Sequence, residues 1–371
     1  MQSREGSNLS SAPLARVVPF RTIIHPRKAT RTESFDVTHG SPGLSVVIVG
    51  AGLMGRWHLD AARRSGARVV AVVDRDPGRA HALGGRALVH ASLAEALQEP
   101  VDVVHVCTPA STHVPLCHEA LAAGCHVIVE KPATPTAAEA VALDAAARAA
   151  GRLVVPVHQF LFQPGVQAIH AHIRGIGPIH HLEFATASAG ADARGADRDT
   201  VAAEILPHAL SLSRNLLDVQ VSMLEWQLER PAPGEWRARA TTPQGCSITA
   251  LISLRARPTF ASLRVLGERG SVVADLFHGF AVFEPAGASR SYKMIRPLAV
   301  GINTATRAAV NLLGRTVRRE RAYPGLRALC AATYAAIRGG EVPFASGEIV
   351  DVATVRDRVL TLATGQTGPR S

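Results

Sequence analysis

Three glycines end the apolar run Val46-Val47-Ile48-Val49, spaced as Gly50-Ala51-Gly52-Leu53-Met54-Gly55. That spacing suits a strand turning into a helix around a pyrophosphate. Gly50 permits the tight turn, Gly52 lets backbone approach the phosphates, and Gly55 lets the helix pack closely on the strand. The helix opening at Leu53 and Met54 would offer free N–H groups and a partial positive charge to the same anion. Asp74 ends the next apolar run, Val69-Val70-Ala71-Val72-Val73, where an acid meets the adenosine ribose of a dinucleotide. Its carboxylate can accept from a ribose 2′-hydroxyl and would repel a 2′-phosphate, which favours NAD; the adjacent Arg75 keeps NADP open.

These residues need a parallel sheet with helices between its strands. From Ser45 to about Pro156 the pattern supplies one, with strands near 45–50, 68–74, 87–89, 102–107, 126–130 and 152–156. Helices are expected near 54–65, 77–83, 92–98, 114–123 and 136–150. The crevice of such a sheet lies beyond the strand C-termini, so Gly50, Asp74, Thr108 and Glu130 should face the cofactor.

After Gln163-Pro164 the texture changes to a short helix through Ile173, a strand from Ile179 to about Ala187 and a helix near 200–216. Alternating stretches around 219–229, 235–241, 246–256, 259–266, 271–276 and 280–284 read as a mostly antiparallel sheet. Helices near 303–318, 324–338 and 347–363 close the chain. The expected fold is α/β: a Rossmann dinucleotide-binding domain over 43–163, then an α+β substrate-binding and oligomerisation domain with an open sheet over 164–371. Residues 1–42, rich in Ser, Thr, Pro and Arg without periodicity, read as a disordered leader.

Three further groups converge on the same crevice: His105-Val106-Cys107-Thr108-Pro109 with Ser111-Thr112-His113; Val129-Glu130-Lys131-Pro132; and Glu204-Ile205-Leu206-Pro207-His208. In the last, the i to i+4 spacing sets acid and histidine on one helical face. With these motifs the chain resembles, over 45–365, the family of glucose–fructose oxidoreductase, inositol dehydrogenase and related NAD(P)-dependent sugar oxidoreductases. The resemblance implies that Lys131 contacts the reacting hydroxyl, that His208 accepts its proton, and that His113 lies near the nicotinamide ribose or the sheet exit. Thr108, Pro109, Glu130 and Lys131 would line the cofactor. Such roles fit alcohol oxidation: histidine titrates near neutral pH, and an ammonium stabilises developing alkoxide charge.

The sequence departs from the family pattern in two places. The acid of the helix is commonly Asp, whereas Glu204 stands here, and Ala209 and Ser211 lack acids that many sugar-oxidising relatives carry. Before Pro164, His158-Gln159-Phe160-Leu161-Phe162-Gln163 replaces a more polar wall; His158 and Gln159 are the expected substrate contacts. The leading expectation is hydride transfer between NAD(P) and a secondary alcohol or carbonyl of a sugar-like or sugar-nucleotide substrate. A redox-neutral, NAD-dependent glycoside-cleaving enzyme and a non-catalytic cofactor-binding scaffold stay open.

Composition sets the outer bounds. At 371 residues the chain can hold two cores, and no apolar run reaches the ~18 to 20 residues of a membrane span. Five scattered cysteines fit reduced thiols and a cytoplasmic setting. No metal is expected, because His170 and His172 splay on a helix and His180 and His181 face opposite sides of a strand. The net charge of +10 is local: residues 286–321 hold eight Lys/Arg against Glu320, and aromatics are only 4%, which argues against nucleic acid. In that basic segment Ile302, Ala305, Ala309, Leu312 and Leu313 share one helical face, while Arg307, Asn311, Arg315 and Arg318 share the other. Two readings are open: a helix packed on the second domain with its basic face solvated, or a docking site, over 290–320, for an anionic surface or ligand. A homo-oligomer, dimer or tetramer, is expected through the second sheet.

Overall fold

The computed structural model describes residues 43–188, 197–286, 290–320 and 323–365; the expected leader over 1–42 lies outside them. The first sheet contains β1 (Ser45–Val49), β2 (Arg68–Val73), β3 (Leu88–His90), β4 (Val103–Val106), β5 (His126–Val129) and β6 (Val154–Pro156). All pairs are parallel, in the order β3-β2-β1-β4-β5-β6. Every residue of β1 and β4 is buried, as a parallel strand covered on both faces demands. The crossovers are α1 (Leu53–Arg64), α2 (Pro77–Gly84), α3 (Leu93–Ala96), α4 (His113–Ala122) and α5 (Ala137–Ala150). Local chemistry sets their limits: Asp76 caps α2 ahead of Pro77, and α5 runs from a Thr136/Glu139 capping box to a left-handed Gly151.

The second sheet runs β13-β12-β11-β7-β10-β9-β8, antiparallel except where β7 (Ile179–Ala187) meets β10 (Ser247–Ser253). Its other members are β8 (Gln227–Ala232), β9 (Glu235–Thr241), β11 (Phe260–Gly267), β12 (Gly270–Asp275) and β13 (Phe280–Pro285). β9 alternates buried Trp236, Ala238 and Ala240 with exposed Arg237 and Arg239, so one face packs on α7 (Arg198–Leu217). The helix α6 (Pro164–Ile176) runs a turn beyond the Ile173 expected for it. The strand expected from 219 begins only at Gln227. Before it, a 3₁₀ turn at Val221–Met223 is held by the Asp351 carboxylate, which accepts from the N–H groups of Val221 and Ser222.

The last helices return to the first domain. Leu326, Leu329, Cys330 and Tyr334 of α9 (Leu326–Ile337) pack with Val46, Ile48 and Leu59. Along α10 (Glu348–Thr364), Ile349 and Ala353 join the core around Val127 and Leu143, while Val352, Val355 and Val359 join the core of the second domain. Residues of α9, with Ile349 and Ala353 of α10, thus join the cores of the first domain, while the other face of α10 belongs to the second.

The helix α8 (Arg290–Val317) corrects two expectations. It starts thirteen residues before position 303, with Pro297 inside it. And its polar face is not the solvated one. Asn303 donates to the Phe283 carbonyl, Asn311 and Arg315 donate to the His278 carbonyl, and Arg296 pairs with Glu284, so the side rich in hydrogen-bonding groups lies on β13 and its flanks.

Candidate functional site

The glycine turn has the expected geometry. Gly50 has φ +100°, a conformation that L side chains rarely adopt, and a Cβ on Gly55 would lie 1.8 Å from the Gly50 carbonyl oxygen. A Cβ on Gly52 would meet nothing within 4 Å, which leaves an open cradle at the mouth of α1, and no side chain caps that helix. Asp74 is fixed beside the turn: one carboxylate oxygen accepts from the Ala51 N–H at 2.7 Å and the other from the Asp76 N–H at 2.9 Å. Each oxygen keeps a further lone pair for a ribose hydroxyl. Arg75 is exposed, as is Leu53, and Met54 is half-buried in the first turn. These features fit a dinucleotide, whose pyrophosphate the open N–H groups would hold. Gly55→Ala is expected to cost about 1–3 kcal/mol through overpacking and to weaken dinucleotide binding, measured by thermal melting with and without NAD.

At the next strand exits, the buried ring of His113 sits 2.8 Å from the carbonyl oxygens of both Thr108 and Pro132, tying the loop after β4 to the loop after β5. The Thr112 hydroxyl donates to the Thr108 hydroxyl, and Pro109 precedes the 3₁₀ turn Ala110–Thr112.

Glu130, expected to face the cofactor, turns inward instead. One of its oxygens accepts from the Lys131 N–H, and the other lies 3.2 Å from His58 Nε2. His58 Nδ1 is 2.9 Å from His105 Nδ1, and His105 Nε2 is 2.8 Å from the Tyr334 hydroxyl. One assignment satisfies the whole buried chain: Tyr334 donates to His105, neutral His105 to neutral His58, and His58 to the ionised Glu130. The electrostatics agree. Burial would raise the Glu130 carboxyl, but the hydrogen bond from His58, then Lys131, outweigh it and hold it below the usual carboxylate range. Burial, then His58, holds His105 well below an ordinary histidine. Burial also pushes the Tyr334 hydroxyl up. A histidine inside the fully buried run Val103-Val104-His105-Val106 was the one signal in the sequence that could have revealed this chain, since buried polar groups need partners.

Lys131 and the second domain meet across the crevice. The Lys131 ammonium donates to the backbone carbonyl of Glu204 at 3.3 Å, one turn of α7 before His208. His208 is buried, its ring 4.4 Å from that of Phe160, and its Nδ1 has no hydrogen-bond partner. Burial, then the like charge of Lys131, then His158, keeps His208 well below the usual histidine range. Burial lowers the Arg356 guanidinium, opposed in part by the charges of Asp357 and then of the partly exposed Glu204. Arg356, missed in the sequence, donates to the carbonyls of Ala203 and Pro135 and so joins α10 to α7 and to the loop after Lys131.

His158, expected to reach substrate, is committed elsewhere: its Nδ1 is 3.0 Å from Glu348 on α10, in a network that includes Arg214 and Asn215. Gln159 is buried with its Oε1 unpartnered, and so is the Oε1 of Gln163. Three of the five orphaned buried atoms among the described residues thus belong to His208 and to residues in or beside the 3₁₀ turn Gln159–Phe162. Orphans are costly, and those of His208 and of Gln159, next to the Phe160 ring that packs on His208, mark a place where a polar ligand belongs.

Because His105 and His208 are buried and neutral, the unfolded chain takes up protons below about pH 6.5 that the folded chain refuses. Stability is therefore full above that pH and is lost as pH falls toward the lowered folded values, by up to about 1.4 kcal/mol per pH unit for each histidine. Urea unfolding on the acid side of neutrality should show this slope, reduced by about half in His208→Asn.

Residues 44–158 match the family model described as an oxidoreductase family with an NAD-binding Rossmann fold. The chain is 44% identical over 107 residues to an inositol 2-dehydrogenase of Leifsonia xyli subsp. xyli, covering 27% of this chain and 31% of that one. It is 30% identical over 222 residues to inositol 2-dehydrogenase 4 of Saccharopolyspora erythraea, covering 57% and 63%. The chain thus spans less than two thirds of the length of these relatives. The structure of the WlbA dehydrogenase from Bordetella pertussis, in complex with NADH and UDP-GlcNAcA, superposes with a TM-score of 0.66 at 18% identity over 90% of this chain and all of that one, which shows a shared fold across both domains. The fold is a Rossmann domain with an appended α+β domain. Residues 44–158 thus resemble the NAD-binding Rossmann domain of that oxidoreductase family.

Proposed function

We propose that this chain is an NAD-dependent dehydrogenase that oxidises a secondary alcohol of a sugar-like or sugar-nucleotide substrate, or reduces the corresponding carbonyl. The observation that carries the reading is the convergence of Lys131, from the exit of β5, on the helical turn that ends in the neutral, unpartnered His208. His208 is free to take the hydroxyl proton, and the ammonium of Lys131 offsets the charge developing on the same oxygen. A dinucleotide held by its pyrophosphate at Gly50, Gly52 and Gly55 and by its adenosine ribose at Asp74 would supply the hydride acceptor through its nicotinamide. Gln159, next to the Phe160 that packs on His208, offers an unpartnered carbonyl oxygen to a substrate hydroxyl, which suits a polyol. The names of the relatives support that class: two are inositol dehydrogenases, and the structural neighbour holds a nucleotide sugar. The test is a panel of polyols, sugars and nucleotide sugars, with NAD and with NADP, followed by the absorbance of reduced cofactor. Stoichiometric reduction of NAD by a member of the panel is expected; silence across the panel with both cofactors would overturn the proposal.

A further inference from the structure

The face of α8 turned away from the protein is apolar. Eight large side chains on this helix are exposed, from 57% for Ile295 to 84% for Met294, and they include Leu298, Ile302, Leu312 and Leu313. At 100° per residue they fall within one arc that contains no charged residue, along 28 residues or about 42 Å of helix. A monomeric protein rarely leaves more than a few hundred Å² of contiguous apolar surface in water. The inversion is built in: side-chain amides and guanidinium groups on the inner face bond the carbonyls of Phe283 and His278, and Arg64 of α1 donates to the Arg319 carbonyl just beyond the helix.

The charges at the rim indicate what covers this stripe. Exposed Lys293 precedes the stripe and exposed Arg319 follows it, beside Arg296 and Arg318, which pair with Glu284 and Glu320; Glu320 is the sole acid in 286–321. Two copies laid along each other, parallel or antiparallel, would set positive end against positive end, which disfavours self-pairing. An anionic bilayer satisfies both features at once, with acyl chains for the apolar arc and headgroups for the positive ends. None of the described helices is long and apolar enough to cross a membrane, so α8 would lie in the interface plane. We propose that α8 docks the protein on an anionic membrane surface, a property independent of the reaction proposed above.

The test uses the full chain with NAD and two sets of vesicles, one of phosphatidylcholine alone and one of equal parts phosphatidylcholine and phosphatidylglycerol. The wild type should pellet with the anionic vesicles, at least about tenfold more than with the neutral ones, and be released by high salt. The double variant Leu298→Glu, Leu312→Glu should stay in the supernatant while its melting temperature and NAD binding match the wild type, since both side chains already face water. Equal pelleting of the variant would overturn the proposal, as would wild type left in the supernatant. So would an oligomer, seen without vesicles in sedimentation equilibrium, that the double variant dissociates; that result would assign the stripe to a second copy.

Discussion

Lys131→Met and His208→Asn are each expected to lower kcat/KM for alcohol oxidation by about 10²- to 10⁴-fold, the range for loss of a positioned proton acceptor or charge, with dinucleotide binding retained. Because both groups act on one oxygen, the double variant should be little worse than the worse single one. The pH profile separates a chemical role from a structural one. Burial, Lys131 and His158 hold His208 below the usual histidine range, so the acid limb of kcat/KM lies below about pH 6.5. Lys131→Met removes a like charge, and in the residual activity the limb should move up toward that value. A limb that stays in place in Lys131→Met, or unchanged turnover in either variant, would remove these residues from the chemistry.

Glu348→Ala is expected to destabilise the fold by about 3–5 kcal/mol, the cost of stripping one partner from a buried ion pair. The Glu348 carboxylate is buried, accepts from Arg214 Nε at 2.7 Å and from Asn215, and faces His158 Nδ1 at 3.0 Å. Its removal leaves a largely buried guanidinium with Asp351 as its remaining carboxylate and frees the ring at the rim of the site. Glu348→Gln, which keeps an acceptor for His158 but loses the charge, should fall between the two. Urea unfolding measures the difference, and a loss under about 1 kcal/mol would show that this network does not hold α10 to α7.

The elements were largely legible because each carries its own period. β1 is a continuous apolar run for a sheet covered on both faces, and β9 alternates Trp236, Ala238 and Ala240 against arginines. The turn glycines and the exit of β5 were legible for the same local reason. What escaped is what depends on partners distant in sequence. Nothing beside His105 announces Tyr334, 229 residues away, and Glu130 was read by its place at a strand end rather than by the histidine it meets inside. His158 likewise follows a partner 190 residues on. For α8 the wheel sorted apolar from polar correctly but could not say which side the domain would take. The usual assumption fails because carbonyls at Phe283 and His278 offer bonds that only the polar side can fill.

The return of α9 and α10 also bears on how the chain comes to be folded. The first sheet is translated before the second domain, yet Leu329 and Tyr334, which share a core with β1, and Ile349 and Ala353, which share one with β5, are translated after it. Domains generally fold as units while the chain emerges from the ribosome, amino end first. Here the early sheet lacks part of its interior until α9 and α10 have followed the whole second sheet out of the ribosome, so its last packing waits on segments far downstream in the chain.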